Sequence, residues 1–557
     1  MNLVRLGSFH ASRLSFTRSL VRQMAREHWS VTRARFDLDD DGHGVAIYRL
    51  DTPHNRYHGV VFSQALDPEK RSDRVIAEAW DVTFAIVEGE VDDRLLEQMA
   101  ANVPLQEAGR QNPRLLVLSR ANKSLRNFGD FVDALASGRQ PDPAWLTRVG
   151  YLYRTTAVYG NGKFGIADYA RLQQSPDFRR PFSAQMFAVY LLRHFSIEQV
   201  NHIAAMRAPD VAVPLAPALQ RYLGIGNSTG LGMAPFLINH PRLIQQWVYC
   251  REWALAHARQ RRPDAASRQR LLDLMHRVQR HFEQTVTEDE AQTRRNRETV
   301  AALTQSIGWL ERTPANATLW TDLLDWVATQ GSLEAEELIN TLLIELYPDL
   351  IDAVEDNLGC DDQLDLQPEM RVSALKQLIE SRYGWALDYD PDDPNHHYWF
   401  WYRSAEKEEP RLGVRAEERG AEKEMPVAIG PRVYRTHQLL GEFLALAPNA
   451  SVVEFLMAHP HQKECVRRIQ TLAQTPYGEI QANLWHRDMK PMHLLRTKLS
   501  FFGASRFDPK SDRWVRVTLF QGAPLLDELG GQWPVGGRRL AELDDWSFPV
   551  EPQAGAL

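Results

Sequence analysis

Three cysteines in 557 residues, Cys250, Cys360 and Cys465, are too few and too widely spaced for a disulfide framework. None stands in a CxxC pair. Such usage fits a reducing compartment, and the expectation is a soluble, cytoplasmic protein. Long apolar runs are missing too: the stretch 187–192 falls far short of the roughly eighteen residues needed to span a bilayer, so no membrane partner is expected. Nor is there an excess of positive charge. The net charge is −7 and the pI about 6.2, which leaves no global field to attract nucleic acid. Lysine is scarce, at ten residues against 55 arginines. No GxSxG elbow, P-loop, HExxH or RNA-binding aromatic signature occurs, which removes the reaction classes those motifs serve.

What is present is an ordinary globular balance. Hydrophobic residues make up 44% and charged residues 25%, enough for a sizeable core and for two to four domains on length alone. The fold expected is α+β: an N-terminal α+β domain over 1–150, a helix-dominated region over 151–385, and a smaller mixed α/β region over 386–557. Arg5, Arg13, Arg18, Arg22 and Arg26 give the first 29 residues the composition of a transit peptide. In so arginine-rich a chain, they read instead as an N-terminal amphipathic helix.

Thr32–Leu38 and Val45–Leu50 read as strands joined by an Asp/Gly turn, followed by strands at Tyr57–Ser63, Thr83–Val87 and Leu115–Leu118. Arg120 to Ser124 then reads as a polar segment following the last of these. Helical spacing covers 92–101, 243–259, 267–286, 288–312, 320–328 and 333–347. The stripe of Leu271, Leu274, Met275, Val278 and Phe282 needs burial within the chain or against a second copy, and a homodimer is expected. A capping box at Thr287–Glu290 separates two of the helices, and Pro348 closes the last. Further on, 396–402 reads as an aromatic strand, 406–424 as a long charged loop, and 499–506 with 514–520 as a β-hairpin around a loop at 507–512.

Two stretches carry the functional argument, Tyr159-Gly160-Asn161-Gly162-Lys163-Phe164-Gly165 and Gly224-Ile225-Gly226-Asn227-Ser228-Thr229-Gly230. Glycine lets backbone N–H groups converge on an anion, and a following helix adds its N-terminal partial charge. Both are read as loops. A lysine between glycines in so lysine-poor a chain points to a point charge or a deprotonatable amine. The candidate catalytic residues are therefore Lys163 as anion partner or base, Tyr159 as hydroxyl donor and Asp168 as orienting acid. Arg154, Asn161, Gly162, Gly226, Asn227, Ser228, Thr229, Gly230 and Lys123 are the candidate substrate-binding residues.

Rival motifs fail on missing parts. Asp37, Asp39, Asp41 and Gly42 begin a calcium loop, but its twelfth position is Tyr48 rather than a bidentate Glu. His194 and His202 share a helical face only if no new helix starts at Ser196. His396 and His397, beside Asp390, Asp392 and Asp393, are adjacent in a strand and face opposite ways. His486-Arg487-Asp488-Met489-Lys490-Pro491 imitates a kinase catalytic loop, yet His493 stands where the metal-binding Asn belongs, and the upstream lobe is missing. No metal site is expected and no particular cofactor is indicated. The function expected is an enzyme acting on a small carboxylate- or phosphate-bearing metabolite, the alternative being a non-catalytic helical assembly protein.

Overall fold

The computed structural model describes residues 3–66, 80–102, 112–125, 127–155, 172, 174–230, 241–359, 364–387, 399–404, 408–412, 421–426, 429–475, 477, 479, 491–511, 514–529 and 542–552. The fold is α+β. The chain divides into two compact units, both assembled from separated segments. The larger takes Phe9–Thr229, His257–Ala353 and Leu499–Leu557, and the smaller takes Met1–Ser8, Gly230–Ala256 and Val354–Lys498.

In the larger unit, helix α1 (Phe16–Arg26) precedes strands β1 (Ser30–Leu38), β2 (Gly44–Asp51), β3 (Arg56–Ser63) and β4 (Val82–Glu88). Helix α2 (Asp93–Asn102), strand β5 (Leu115–Lys123), helix α3 (Phe128–Ala136) and strand β6 (Tyr151–Thr155) follow. Next come α4 (Ser183–Arg207), α5 (Pro217–Tyr222) and β7 (Gly224–Gly230). A helical block contains α6 (Ala265–Gln284), α7 (Glu290–Arg312), α8 (Leu319–Gln330) and α9 (Leu333–Leu346), and the unit ends with the hairpin β8 (Ala504–Ser511) and β9 (Trp514–Leu519). The nine strands form one sheet in the order β1-β2-β3-β4-β5-β6-β7-β9-β8.

Both faces of the sheet are covered at its central strands, which explains why β3 and β4 are apolar, whereas the edge strand β1 is largely exposed. Alternation sends Val60 and Phe62 to one face, where they meet Leu95 and Met99 of α2. Gly59 points the other way, and a β-carbon on it would lie 2.0 Å from Leu191 of α4. Glycine there lets the long central helix settle directly on the strand. Helix α4 is buried over most of its length and runs unbroken through Ser196, whose hydroxyl donates back to the Arg193 carbonyl at 2.7 Å. The serine expected to cap a new helix is thus satisfied inside one.

Several other local expectations are corrected. The Arg120–Lys123 segment is the second half of β5, and Gly224–Gly230 is a strand rather than a loop. The cap of α7 is Asp289, which accepts from Gln292 N–H at 2.7 Å, although the helix junction lies where expected. Helix α9 ends at Leu346, just before Pro348 as expected, and Pro348 also opens the next helix, Pro348–Val354, since an imino nitrogen at the first helical position costs no hydrogen bond. Residues 499–502 belong to a helix, Pro491–Phe502, and the strand β8 continues through the expected loop to Ser511. Leu271, Leu274, Met275 and Val278 are buried at 0–1% exposure within the chain itself.

Ionic pairing fixes the N-terminal arginines in the core. Arg13, Arg18 and Arg22 are 3–4% exposed and converge on Glu345 and Asp544. Arg18 Nε donates to Asp544 Oδ1 at 2.7 Å, its Nη2 to Glu345 Oε2 at 3.1 Å, and Arg22 Nη1 to Asp544 Oδ2 at 3.0 Å. Burial opposes the charge on Arg18, but the two carboxylates outweigh it and hold its pKa above the usual value. The same contacts hold Asp544 well below the carboxylate range against the effect of its burial.

The smaller unit packs helices Val372–Arg382, Gly430–Leu446, Val452–Ala458 and Lys463–Leu472 around Leu375, Ile379, Val433, Phe455 and Val466. It also holds an antiparallel three-stranded sheet in which Trp399–Ser404 lies between Glu408–Leu412 and Ala421–Pro426. Part of the segment expected as a charged loop is therefore strand. No helix among the described residues is long and apolar enough to cross a membrane.

Candidate functional site

Strands β6 and β7 are parallel neighbours, Tyr151 pairing with Gly224 and Arg154 with Gly226. Parallel neighbours require a crossover, supplied here by α4 and α5. Each of the two glycine- and asparagine-rich stretches belongs to this pair: the first follows the end of β6, and the second is β7. The strand ends are fastened together by Asn227, fully buried, whose amide donates to the Thr155 carbonyl at 2.7 Å. Thr155 in turn donates to the Arg120 carbonyl at 3.2 Å and lies 3.3 Å from the Ser119 hydroxyl. Buried polar groups of this kind fix strand register because leaving one unpaired is costly.

The entry to β7 is held by Arg193 of α4. Its guanidinium donates to the carbonyls of Leu223 at 2.6 Å, Gln220 at 3.1 Å, and Arg221, Ala523 and Pro524 at 2.9 Å each. Burial pulls its pKa down to about 10, so it remains protonated at neutral pH. A single side chain thus ties the crossover helix to the end of α5 and to the segment after β9.

The glycines of β7 serve close packing. Neither Gly224 nor Gly226 takes the left-handed backbone that a converging N–H nest uses. A β-carbon on Gly226 would lie 2.4 Å from the Tyr151 ring, and one on Gly224 would lie 2.5 Å from Leu519 O and Thr518 Cγ2. Gly226 is therefore a packing residue, and Asn227 joins two strands. Both placements follow from the extended backbone of a stretch expected as a loop. Ser228, Thr229 and Gly230 form the far half of the same strand.

Lys123 lies across from Tyr153 on β5, two residues back from the Thr155 level. Its ammonium sits 4.7 Å from the centre of the Phe128 ring, and its backbone N–H donates to buried Asp81 at 2.9 Å. Arg154 is half-buried near the end of β6. Tyr159, Asn161, Gly162, Lys163 and Asp168 lie in 156–171, outside the described residues, as do His396, His397, Asp390, Asp392, Asp393 and 486–490 of the kinase-like stretch.

The remaining histidines and acids have separate local partners. His194 lies 3.6 Å from Glu198, whereas His202 meets the Asp39 carbonyl at 3.0 Å. Asp39 accepts from the N–H groups of Asp41 and His43 at 3.0 and 2.8 Å, so its carboxylate builds the hairpin turn.

A second polar cluster escaped the sequence reading. Arg506, Asp508, Arg516 and Thr518 are 1–7% exposed on one face of the β8–β9 hairpin, Arg506 opposite Thr518 and Asp508 opposite Arg516. Burial holds Arg506 below its ordinary pKa, the reverse of Arg18, because Asp508 and the nearby phenol of Tyr222 offset it only in part. The available signal was alternation: Arg506, Asp508 and Lys510 interleave with Phe507 and Pro509, as Arg516 and Thr518 do with Val515, Val517 and Leu519. No protein-family profile, curated protein or solved structure matches this chain.

Proposed function

We propose that the protein is an enzyme acting on a small anionic metabolite, carboxylate- or phosphate-bearing, bound at the carboxyl ends of β6 and β7. The supporting observation is the parallel pairing of the two strands, which sets the root of the 156–171 segment beside the second glycine- and asparagine-rich stretch. In open sheets, ligands collect outside the carboxyl ends of parallel strands, where segments leaving the sheet supply backbone N–H groups. In this reading Lys163 is the anion partner or the base. Tyr159 donates a hydroxyl, Asp168 orients the lysine, and Arg154 clamps the anion. Asn161, Gly162, Ser228, Thr229 and Gly230 supply further donors. Asn227 and Arg193 are positioning residues that hold the strands.

A thermal-shift panel of phosphorylated and carboxylated metabolites tests this, since a ligand that binds the folded state raises its midpoint. At least one compound is expected to raise it in the parent and to lose that effect in Lys163→Ala. A panel flat in the parent, or a shift unchanged by Lys163→Ala, overturns the proposal.

A further inference from the structure

The hairpin cluster is assembled from groups with no reason to be buried together unless something joins them. Four of its members, Arg506, Asp508, Arg516 and Thr518, are at least nine-tenths buried, and the side chain of Lys510 is 4% exposed. The cluster is covered by the connection between α6 and α7, where the Val286 carbonyl accepts from Arg506 Nη2 and Glu288 pairs with Lys510. Among the described residues, Arg506 Nε, Arg516 Nε and the Thr518 hydroxyl have no hydrogen-bond partner. Asp508 has its ion partners at 3.1 Å (Lys510) and 3.8 Å (Arg516), with neither oxygen accepting in hydrogen-bonding geometry.

Charge does not balance either. Among the described residues three buried cations face one buried carboxylate, and the half-exposed Glu288 pairs with Lys510 from the rim, which leaves the two arginines in excess over Asp508 by one positive charge. Nearby His281, buried, donates Nδ1–H to the Pro549 carbonyl at 2.8 Å and, kept neutral by burial, brings no negative charge to the cluster.

We propose that this face of the β8–β9 hairpin binds a phosphate group, inorganic or the terminal group of a phosphate ester. A phosphate neutralises the excess charge, and its tetrahedral oxygens accept from the two Nε–H groups, the Thr518 hydroxyl and the Lys510 ammonium. A carboxylate, planar and with two oxygens, reaches fewer of these donors. Water would satisfy the donors and leave the charge, and a metal cation would be repelled. The site uses none of the residues at the ends of β6 and β7, so it stands independently of the function proposed above.

The test is thermal unfolding of the full chain in chloride buffer at constant ionic strength, titrated with inorganic phosphate and, separately, with acetate. At phosphate about 100-fold above its Kd, a midpoint rise of about 3 °C is expected, with a smaller effect of acetate. Arg516→Met supplies the baseline for the general salting effect of phosphate. It is expected to lose the specific shift and to melt no lower than the parent without phosphate, because it removes a cation from an uncompensated excess. Thr518→Val, which keeps every charge, is expected to raise the phosphate midpoint concentration about tenfold, and it carries the test if Arg516→Met does not fold. No phosphate-specific rise in the parent, an equal rise with acetate, or a full rise in either variant overturns the proposal.

Discussion

Two sets of arginines are buried in the larger unit, and their surroundings differ in kind. Around α1, all four oxygens of Glu345 and Asp544 accept from Arg13, Arg18 or Arg22. On the terminal hairpin, Arg506 and Arg516 are nearly as deeply buried, yet neither oxygen of Asp508 accepts a hydrogen bond and Arg516 meets it at ion-pair distance only. The pKa of Arg18 is raised and that of Arg506 lowered, so the protein favours the charge in the first setting and opposes it in the second. Burial alone therefore does not mark a functional cation; what identifies one is burial without its counter-charge.

The strongest way to break the contrast is to open the closed set. Asp544→Asn leaves three buried guanidinium groups facing Glu345 alone and is expected to cost about 3–5 kcal/mol in denaturant unfolding. A loss under 1 kcal/mol would show the cluster to be peripheral to stability. Acid sharpens the contrast from the other side. Burial holds His281 down to about 4, against about 6.5 in the unfolded chain. Between those values the unfolded state takes up a proton that the folded state refuses, so stability falls as the pH falls. The loss is expected to reach about 3 kcal/mol by pH 4 and to vanish in His281→Gln. Asp544 and Asp545 stay ionised across that window, since their arginines hold both below the carboxylate range, and their contributions fade only in stronger acid.

A neutral substitution in the same sheet separates packing from charge. Gly226→Ala drives a methyl into the Tyr151 ring and is expected to cost about 1–3 kcal/mol, with no change in phosphate response. Lys163→Ala marks the lower limit. Unfolding free energy should stay within about 0.5 kcal/mol of the parent while the metabolite-induced shift disappears. A large stability loss would make this lysine structural.

Most helices were legible because their apolar spacing is regular, and the first five strands because β-branched runs end at turn residues. The failures share a physical origin. In Gly224–Gly230 the glycines signal a loop, but they are required by rings and backbone from Tyr151, Thr518 and Leu519, partners that spacing within the stretch does not reveal. In Phe507–Asp512, the turn-forming Asp, Pro and Ser outweighed the alternation of Arg506, Asp508 and Lys510. Arg13, Arg18 and Arg22 could be placed on a helix, but their acids are 327 or more residues away, and only tertiary structure joins them. The candidate site was legible as composition, lysine between glycines, while the strand pairing at its base depends on a crossover of nearly seventy residues.

Denaturant unfolding of Arg18→Met and Arg516→Met beside the parent, at pH 7 without phosphate, tests the contrast most directly. Removing Arg18 leaves oxygens of Asp544 and Glu345 buried without their donors, so a loss of about 3–5 kcal/mol is predicted. Removing Arg516 relieves an uncompensated charge, so its stability is predicted to equal or exceed that of the parent. Equal losses in the two variants would contradict the account.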